Sequence, residues 1–397
     1  MTILVISNLF PPRVLGGYEI LCGQVCAELA ARGHRVVVLA SDAGPVLPGE
    51  PPVPDVRRVL HLTVPFGQPA PLDRLRDLAV SILNAQAARE AIRDVRPDVA
   101  FVFSQLRLTL GAARAARDAG VPTLFTLNDG HLRAFVPGPF DGAAGLARRL
   151  LDGGPFRNLW LPSLRMDHLA CISRRLRDTL AREGLPVAHA RIVYQGIPVQ
   201  RFPPKADPGS LHAPARLLYT GQLHPDKGVH TLVEAAGILA RDGRDLLLDV
   251  AGDGPGDYPD RLRAMAAGHR APATFLGRLP HEELLALYRD HDVFVFPSIW
   301  EEPFGLTHLE AMASGTPVAS TADGGQAEFL EHDVNALVFP KGDAVALAAA
   351  LARLLDDGAL RARLAREARA MVERRFTMRR YVDDLLALLG EVAGAAR

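Results

Sequence analysis

The chain has 397 residues, a length for two to three domains and an ordinary size for α/β lobes of about 200 residues each. Its hydrophobic fraction of 48% and charged fraction of 23% belong to a folded globular protein and exclude disordered, collagen-like and coiled-coil chains. Forty-five Lys plus Arg balance forty-five Asp plus Glu, so no positive excess supports nucleic-acid binding.

No apolar run approaches the roughly 20 residues of a membrane span. The chain opens on the strand-like Ile3-Leu4-Val5-Ile6 without a charged leader, so no signal peptide is expected and the expected location is the cytoplasm. Of the three cysteines, Cys22 and Cys26 fall four apart on a predicted helix and Cys171 is isolated; all read as small buried residues. The thirteen histidines show no metal-ligand spacing, so neither a metal nor another cofactor is expected. Only Lys205, Lys227 and Lys341 are lysines among the basic residues, which makes a lysine in a sharp loop stand out.

In chain order, residues 3–8 read as a strand buried on both faces, followed by a turn containing Pro11, Pro12, Gly16 and Gly17. A helix is predicted from about Tyr18 to Ala31, stopped by Gly33, and a strand from Arg35 to Ala40. This is a βαβ unit of a parallel sheet. A helix near Leu75–Arg93 then leads to the strand Val99–Ser104, and one near Leu110–Ala119 to Pro122–Leu127. After a Gly- and Arg-rich stretch, Phe135–Met166, come short strands at Leu169–Ser173 and Arg191–Tyr194. Gln195–Pro214, rich in proline and without periodicity, reads as a linker. A second series follows, with strands at Leu217–Thr220, Leu246–Ala251, Ala273–Leu276, Val293–Pro297, Pro317–Ser320 and Ala336–Phe339. The tail from about Ala344 to Ala393 reads as helix, with Thr377 capping a last segment whose Tyr381, Leu385, Leu386, Leu388 and Leu389 form an apolar stripe. The expectation is two doubly wound lobes, with ligands beyond the carboxyl ends of the strands and in the cleft between the lobes.

Two stretches carry the chemistry. In Pro297–Met312 a buried strand ends, a loop brings Glu301 and Glu302, and a helix opens at about Gly305 with Glu310 inside it. A helix start favours a phosphate, and carboxylates beside one make sense if they grip sugar and ribose hydroxyls. Chance capping acids are the competing reading. In Tyr219–Gly228 a strand end and polar turn carry Lys227, placed to neutralise a diphosphate; a solvated loop lysine is the competing reading.

Together these residues resemble the family 4 glycosyltransferases of the GT-B fold. Glu302 and Glu310 match the family's paired glutamates within Glu-Pro-Phe-Gly-Leu and Glu-Ala-Met-Ala. Gly16-Gly17-Tyr18-Glu19, Lys227-Gly228, Gly252-Asp253-Gly254-Pro255 and Gly324-Gly325 match in order and spacing along nearly the whole chain. The resemblance implies a retaining transferase using a nucleotide diphosphate sugar. Glu310 then holds ribose, Glu302 contacts the transferred sugar, Lys227 meets the diphosphate, and the amides of Phe304, Gly305, Leu306 and Thr307 meet sugar and phosphate. Gly16 and Gly17 let the first lobe approach the same groups. It also implies an acceptor lobe of residues 1–195 joined by 380–397, with the terminal helix crossing back, and a donor lobe of residues 196–379.

The chain departs from the pattern in two places. Gln222 stands where the family has Arg, five residues before the lysine, with Arg278 the candidate substitute. The family's histidine near the donor sugar corresponds here to Asn128-Asp129-Gly130-His131; Asn128 aligns best, His131 is the second candidate, and a plain loop turn is the bland reading. The acceptor is unidentified: a glycan, a glycolipid or a small molecule. Arg148, Arg149, Arg157 and Arg165 mixed with Phe156, Leu159, Trp160 and Leu161 suit a peripheral contact with an anionic bilayer at the inner membrane face, or an ordinary surface insertion. The alternatives are a glycosyl phosphorylase or sugar-nucleotide hydrolase on the same fold, or a silent binding protein. A nicotinamide enzyme is disfavoured because the first turn lacks Gly-x-Gly-x-x-Gly.

Overall fold

The computed structural model describes residues 1–44, 46, 51–63, 73–105, 107–135 and 164–395. Most of the stretch considered for membrane contact, including Arg148, Arg149, Phe156, Arg157, Leu159, Trp160 and Leu161, lies outside the described residues. The chain divides into two compact units: Met1–Tyr194 with Tyr381–Arg397, and Gln195–Arg380.

The first unit is built on a parallel sheet of β1 (Thr2–Ile6), β2 (Arg35–Ser41), β3 (Asp55–Leu60), β4 (Val99–Val102), β5 (Thr123–Leu127), β6 (His168–Cys171) and β7 (Arg191–Ile192), in the order β3-β2-β1-β4-β5-β6-β7. β1 lies near the middle, and its Ile3, Leu4 and Val5 are wholly buried, as its unbroken apolar run requires. The sequence reading missed β3. It reads Asp-Val-Arg-Arg-Val-Leu and forms an edge, where charge is tolerated: Arg57 bonds Asp55 at 3.2 Å and pairs with Asp94 at 2.7 Å.

The last helix, Met378–Gly394, begins at Thr377, whose hydroxyl accepts the Arg380 N–H at 3.2 Å. From Tyr381 onward its residues group with the first unit, burying Tyr381, Val382, Leu385, Leu388 and Leu389 and pairing Asp383 with Arg32 and Glu391 with Arg191. Leu386, expected in the stripe, is only half-buried at its margin, and Val382 is wholly buried instead.

The second unit carries β8 (Ala215–Thr220), β9 (Leu246–Ala251), β10 (Ala273–Gly277), β11 (Val293–Phe296), β12 (Val318–Ser320) and β13 (Leu337–Val338), all parallel in the order β10-β9-β8-β11-β12-β13. Gln195–Pro214 is not a loose linker. Ile197 exchanges backbone hydrogen bonds with Phe376 and Met378 at 2.9 and 2.8 Å, and Lys205 donates to the His291 carbonyl at 2.6 Å. These bonds use backbone and a lysine, which periodicity does not register. In both sheets the order reverses beside the first strand, at β1/β4 and at β8/β11, and loops beyond such a reversal are the favoured place for ligands. Among the described residues no helix is long and apolar enough to cross a membrane, and no three metal-ligating side chains cluster.

Candidate functional site

In the second unit, the loops after β8 and β11 are locked together at the reversal point. After β8 the chain runs through Gly221 and Gln222 to a tight turn, Pro225–Lys227, and enters the helix Val229–Arg241 at Gly228, φ +65°. A Cβ on Gly228 would overlap the Pro297 carbonyl oxygen, so glycine is needed both for the left-handed backbone and for the close approach. Ile299 and Trp300 donate their N–H groups to the Asp226 carbonyl at 2.9 and 3.1 Å. This lock sets Lys227 against Glu302, with Nζ to Oε1 at 2.6 Å; Ser298 Oγ donates to the same oxygen at 2.7 Å. The two charged side chains are 17% and 8% exposed, so the pair is largely withdrawn from solvent. Lys227 Nζ also lies 4.7 Å from the centroid of the Trp300 ring, a cation–π distance. Glu302 Oε2 makes no hydrogen bond among the described residues.

Glu310 is the fifth residue of the helix Leu306–Ala313. Tyr288 donates its hydroxyl to Glu310 Oε2 at 2.8 Å; with that proton committed, Thr220 Oγ1, 2.7 Å away, must donate to the tyrosine oxygen. His281 Nε2 stands 4.0 Å from Oε1. Burial raises the Glu310 pKa above the ordinary glutamate value, while His281 and the Tyr288 bond act the other way. Glu302 and Glu310 each therefore have one oxygen anchored by the protein.

The helix bearing Glu310 starts at Gly305, φ +112°, and the first-turn amides that include Leu306 and Thr307 have no carbonyl a turn earlier to bond. The Phe304 side chain is core, packed on Phe329 and Phe376 at centroid distances of 5.5 and 5.7 Å, so only its backbone is suited to a ligand. After β12, Gly325 donates to the Glu302 carbonyl at 2.6 Å, and a Cβ on Gly324 would overlap the Glu302 main chain. Gly252 and Gly254 admit the backbone of Gly221 and Leu223, joined by a Leu223-to-Asp253 bond of 2.9 Å. Gln222 is exposed, and its backbone carbonyl accepts the Tyr219 hydroxyl at 2.9 Å; Arg278 is exposed in the turn after β10.

In the first unit, Gly16 and Gly17 form the entry to the helix Gly17–Ala31. Glu19, wholly withdrawn from solvent, accepts the N–H groups of Leu15 and Gly16 at 3.2 and 2.9 Å and Asn8 Nδ2 at 3.3 Å. A Cβ on Gly16 or Gly17 would meet nothing within 4 Å, so the unit itself does not need glycine there. Asn128 Nδ2 reaches Tyr18 Oη at 2.6 Å and the Phe103 carbonyl at 2.9 Å; Tyr18 also donates to that carbonyl. His131 Nε2 accepts the Arg107 N–H at 3.2 Å, and burial, partly opposed by Asp129, lowers its pKa. Asn128 and His131 line one pocket with Tyr18, Ser104 and Gln105.

The structure thus brings Lys227, Glu302 and Gly305 onto adjoining loops of one unit, with Glu310 in the helix that follows, and places Gly16, Gly17, Asn128 and His131 in the other. Sequence reasoning missed Ser298, Tyr288, His281 and the anchoring role of Glu19. Glu19 was detectable, since an acid three residues after Gly16 at a helix start is the spacing of a capping box. Tyr288 gave no signal, because it meets Glu310 only through the fold.

Two doubly wound parallel-sheet units with a helix-start site of this kind define a glycosyltransferase of the GT-B class. Residues 15–201 match the family model described as Glycosyltransferase Family 4, and residues 205–371 the model described as Glycosyl transferases group 1. Over 384 residues the chain is 31% identical to a glycogen synthase of Mycobacterium tuberculosis, covering 93% of this chain and 89% of that protein. A D-inositol 3-phosphate glycosyltransferase of Salinispora tropica is 33% identical over 241 residues, 55% of this chain and 50% of that one. Among solved structures, sucrose-phosphate synthase from Thermosynechococcus elongatus superposes with a TM-score of 0.74 at 23% identity, covering 99% of each chain. Anabaena HepE in complex with UDP-glucose gives 0.72 at 20% identity, covering 98% of this chain and 100% of that one. The chain belongs to glycosyltransferase family 4.

Proposed function

We propose that the protein transfers a sugar, with retention of anomeric configuration, from a nucleotide diphosphate sugar held by the second unit to a hydroxyl of a glycan, glycolipid or small molecule. The observation that carries this reading is the single cluster of Lys227, Glu302 and Glu310 around the start of the helix Leu306–Ala313. A cation and unpaired amides suit a diphosphate, while anchored carboxylates suit hydroxyls. HepE was solved with UDP-glucose, which supports a donor of this class.

In this reading Glu310 accepts the ribose hydroxyls and Glu302 Oε2 a hydroxyl of the transferred sugar. The bond from the anomeric carbon to the diphosphate oxygen breaks, with its electrons leaving on the phosphate. Lys227 and the amides of Leu306 and Thr307 stabilise that charge without requiring a metal. The acceptor oxygen then bonds the same face of the carbon, and its proton passes to the departing phosphate. Asn128 or His131, with Gly16 and Gly17, would contact the donor sugar from the first unit. Gln222 supplies no charge, so Lys227 carries more of the diphosphate than the family pattern expects; Arg278 is the second cation to test.

A thermal-shift panel of nucleotide diphosphate sugars, with and without a chelator, followed by NMR of the product anomer, tests the proposal. The expected result is stabilisation by one donor that survives chelation, and a product with the donor's anomeric configuration. An inverted product, or release of free sugar with no acceptor product, would overturn it.

A further inference from the structure

Beneath the turn at Gly305 lie two buried polar side chains that the reaction scheme does not use. A carbon at the missing Cβ position of Gly305 would stand 2.7 Å from His308 Nδ1 and 3.5 Å from Gln326 Cβ, so both side chains close around that glycine. His308 and Gln326 are each wholly buried. His308 Nε2 lies 2.8 Å from Ser320 Oγ. The serine has one proton and two carbonyls to receive it, Thr321 at 2.8 Å and Phe296 at 3.0 Å. Placing the serine's proton on one of these carbonyls makes the ring the donor through Nε2 and leaves Nδ1 a lone pair. Burial lowers the ring's pKa to about 3, with the Gly305 backbone opposing it and the Lys227 charge adding to it, so the ring stays neutral through the working pH range.

That lone pair has no hydrogen-bond partner, and neither do Oε1 and Nε2 of Gln326. Unsatisfied buried polar atoms are uncommon, and three on two side chains that border one glycine call for a cause. The amide has two N–H donors and the ring one acceptor, so their chemistry is complementary. The amide also reaches the Glu302 side of the turn: a carbon on Gly324 would stand 2.7 Å from Gln326 Oε1 at the place where it would overlap the Glu302 main chain.

We infer that Gln326 and His308 are positioning residues for transfer, coupled from the Gln326 amide to His308 Nδ1 through one bound water, which fixes the Gly305 turn between Glu302 and the amides of Leu306 and Thr307. The inference rests on the reading of that turn as the donor site. Loss of the coupling lets the turn move, and a misplacement of about 1 Å lowers the rate of a preorganised site by up to roughly 100-fold.

The test pairs ¹⁵N NMR of the histidine ring with kinetics on Gln326→Leu, His308→Gln and the double variant. His308→Gln keeps a donor for Ser320 and removes the Nδ1 acceptor. In the wild type the Nδ1 resonance should be that of a hydrogen-bond acceptor, and in Gln326→Leu that of a free lone pair. Each single variant should lower kcat roughly 10- to 100-fold with donor KM little changed, and the double should be no worse than the singles. An Nδ1 resonance insensitive to Gln326→Leu, or independent, multiplying losses in the double variant, overturns the coupling. A responsive Nδ1 in a protein that binds no nucleotide sugar would leave the coupling standing and remove the donor reading instead.

Discussion

Lys227→Met separates the lysine's role in the fold from its role toward a diphosphate. In the native chain its ammonium and the Ser298 hydroxyl share Glu302 Oε1, on a carboxylate only 8% exposed. Breaking a fully buried pair costs about 3–5 kcal/mol, and the lysine's partial exposure brings the expected loss down to about 1–3 kcal/mol. Adding Glu302→Gln should recover most of it, since no unpaired charge then remains. Toward ligand, the lost charge-assisted hydrogen bond is worth about 1.5–3 kcal/mol, or roughly 10- to 150-fold in affinity. That factor should appear in calorimetry for a nucleoside diphosphate and be absent for the bare nucleoside. Equal losses for the two ligands, or none for the diphosphate in a folded variant, would refute the assignment and leave Lys227 a structural partner of Glu302.

Three further outcomes follow from the same geometry. Glu310→Gln should weaken nucleoside binding roughly 10- to 150-fold through its ribose bonds. Because burial raises the Glu310 pKa, the native carboxyl's favourable contribution is complete below the ordinary glutamate range near 4 and is lost as pH rises; the variant should thus be the more stable protein at pH 7–8 in calorimetry, with the advantage fading on acidification. Gly16→Ala and Gly17→Ala should leave thermal stability unchanged or slightly raised while cutting transfer at least about tenfold, since the added methyls meet only open space; full activity would dissociate these glycines from the substrate. Truncation after Arg375 removes six buried apolar residues of the last helix, from Tyr381 to Val392, each worth about 1.5–3 kcal/mol, and should yield insoluble protein; a soluble, active product would show the helix to be dispensable.

The sequence was most legible where one physical requirement dominated. β1 and β11 are buried on both faces and could only be written as apolar runs, and Gly228 and Gly305 hold left-handed backbone at the loops that carry the site. Asp55–Leu60 escaped because an edge strand needs no apolar alternation, and Gln195–Pro214 because its anchoring is backbone to backbone. The paired glutamates were legible as a motif, but their anchoring was not. Ser298 is four residues from Glu302 in an irregular loop, and Tyr288 reaches Glu310 from another helix. His308 and Gln326 sit 18 positions apart around one glycine, a neighbourhood that only the folded loops create.

The most direct test of the central claim is a crystal structure with the nucleoside diphosphate of the preferred donor. The diphosphate should lie within hydrogen-bonding distance of Lys227 Nζ and the Leu306 and Thr307 amides, with the ribose hydroxyls on Glu310. A nucleotide bound in the Tyr18–Asn128 pocket of the first unit, with Lys227 still on Glu302 and Glu310 untouched, would contradict it.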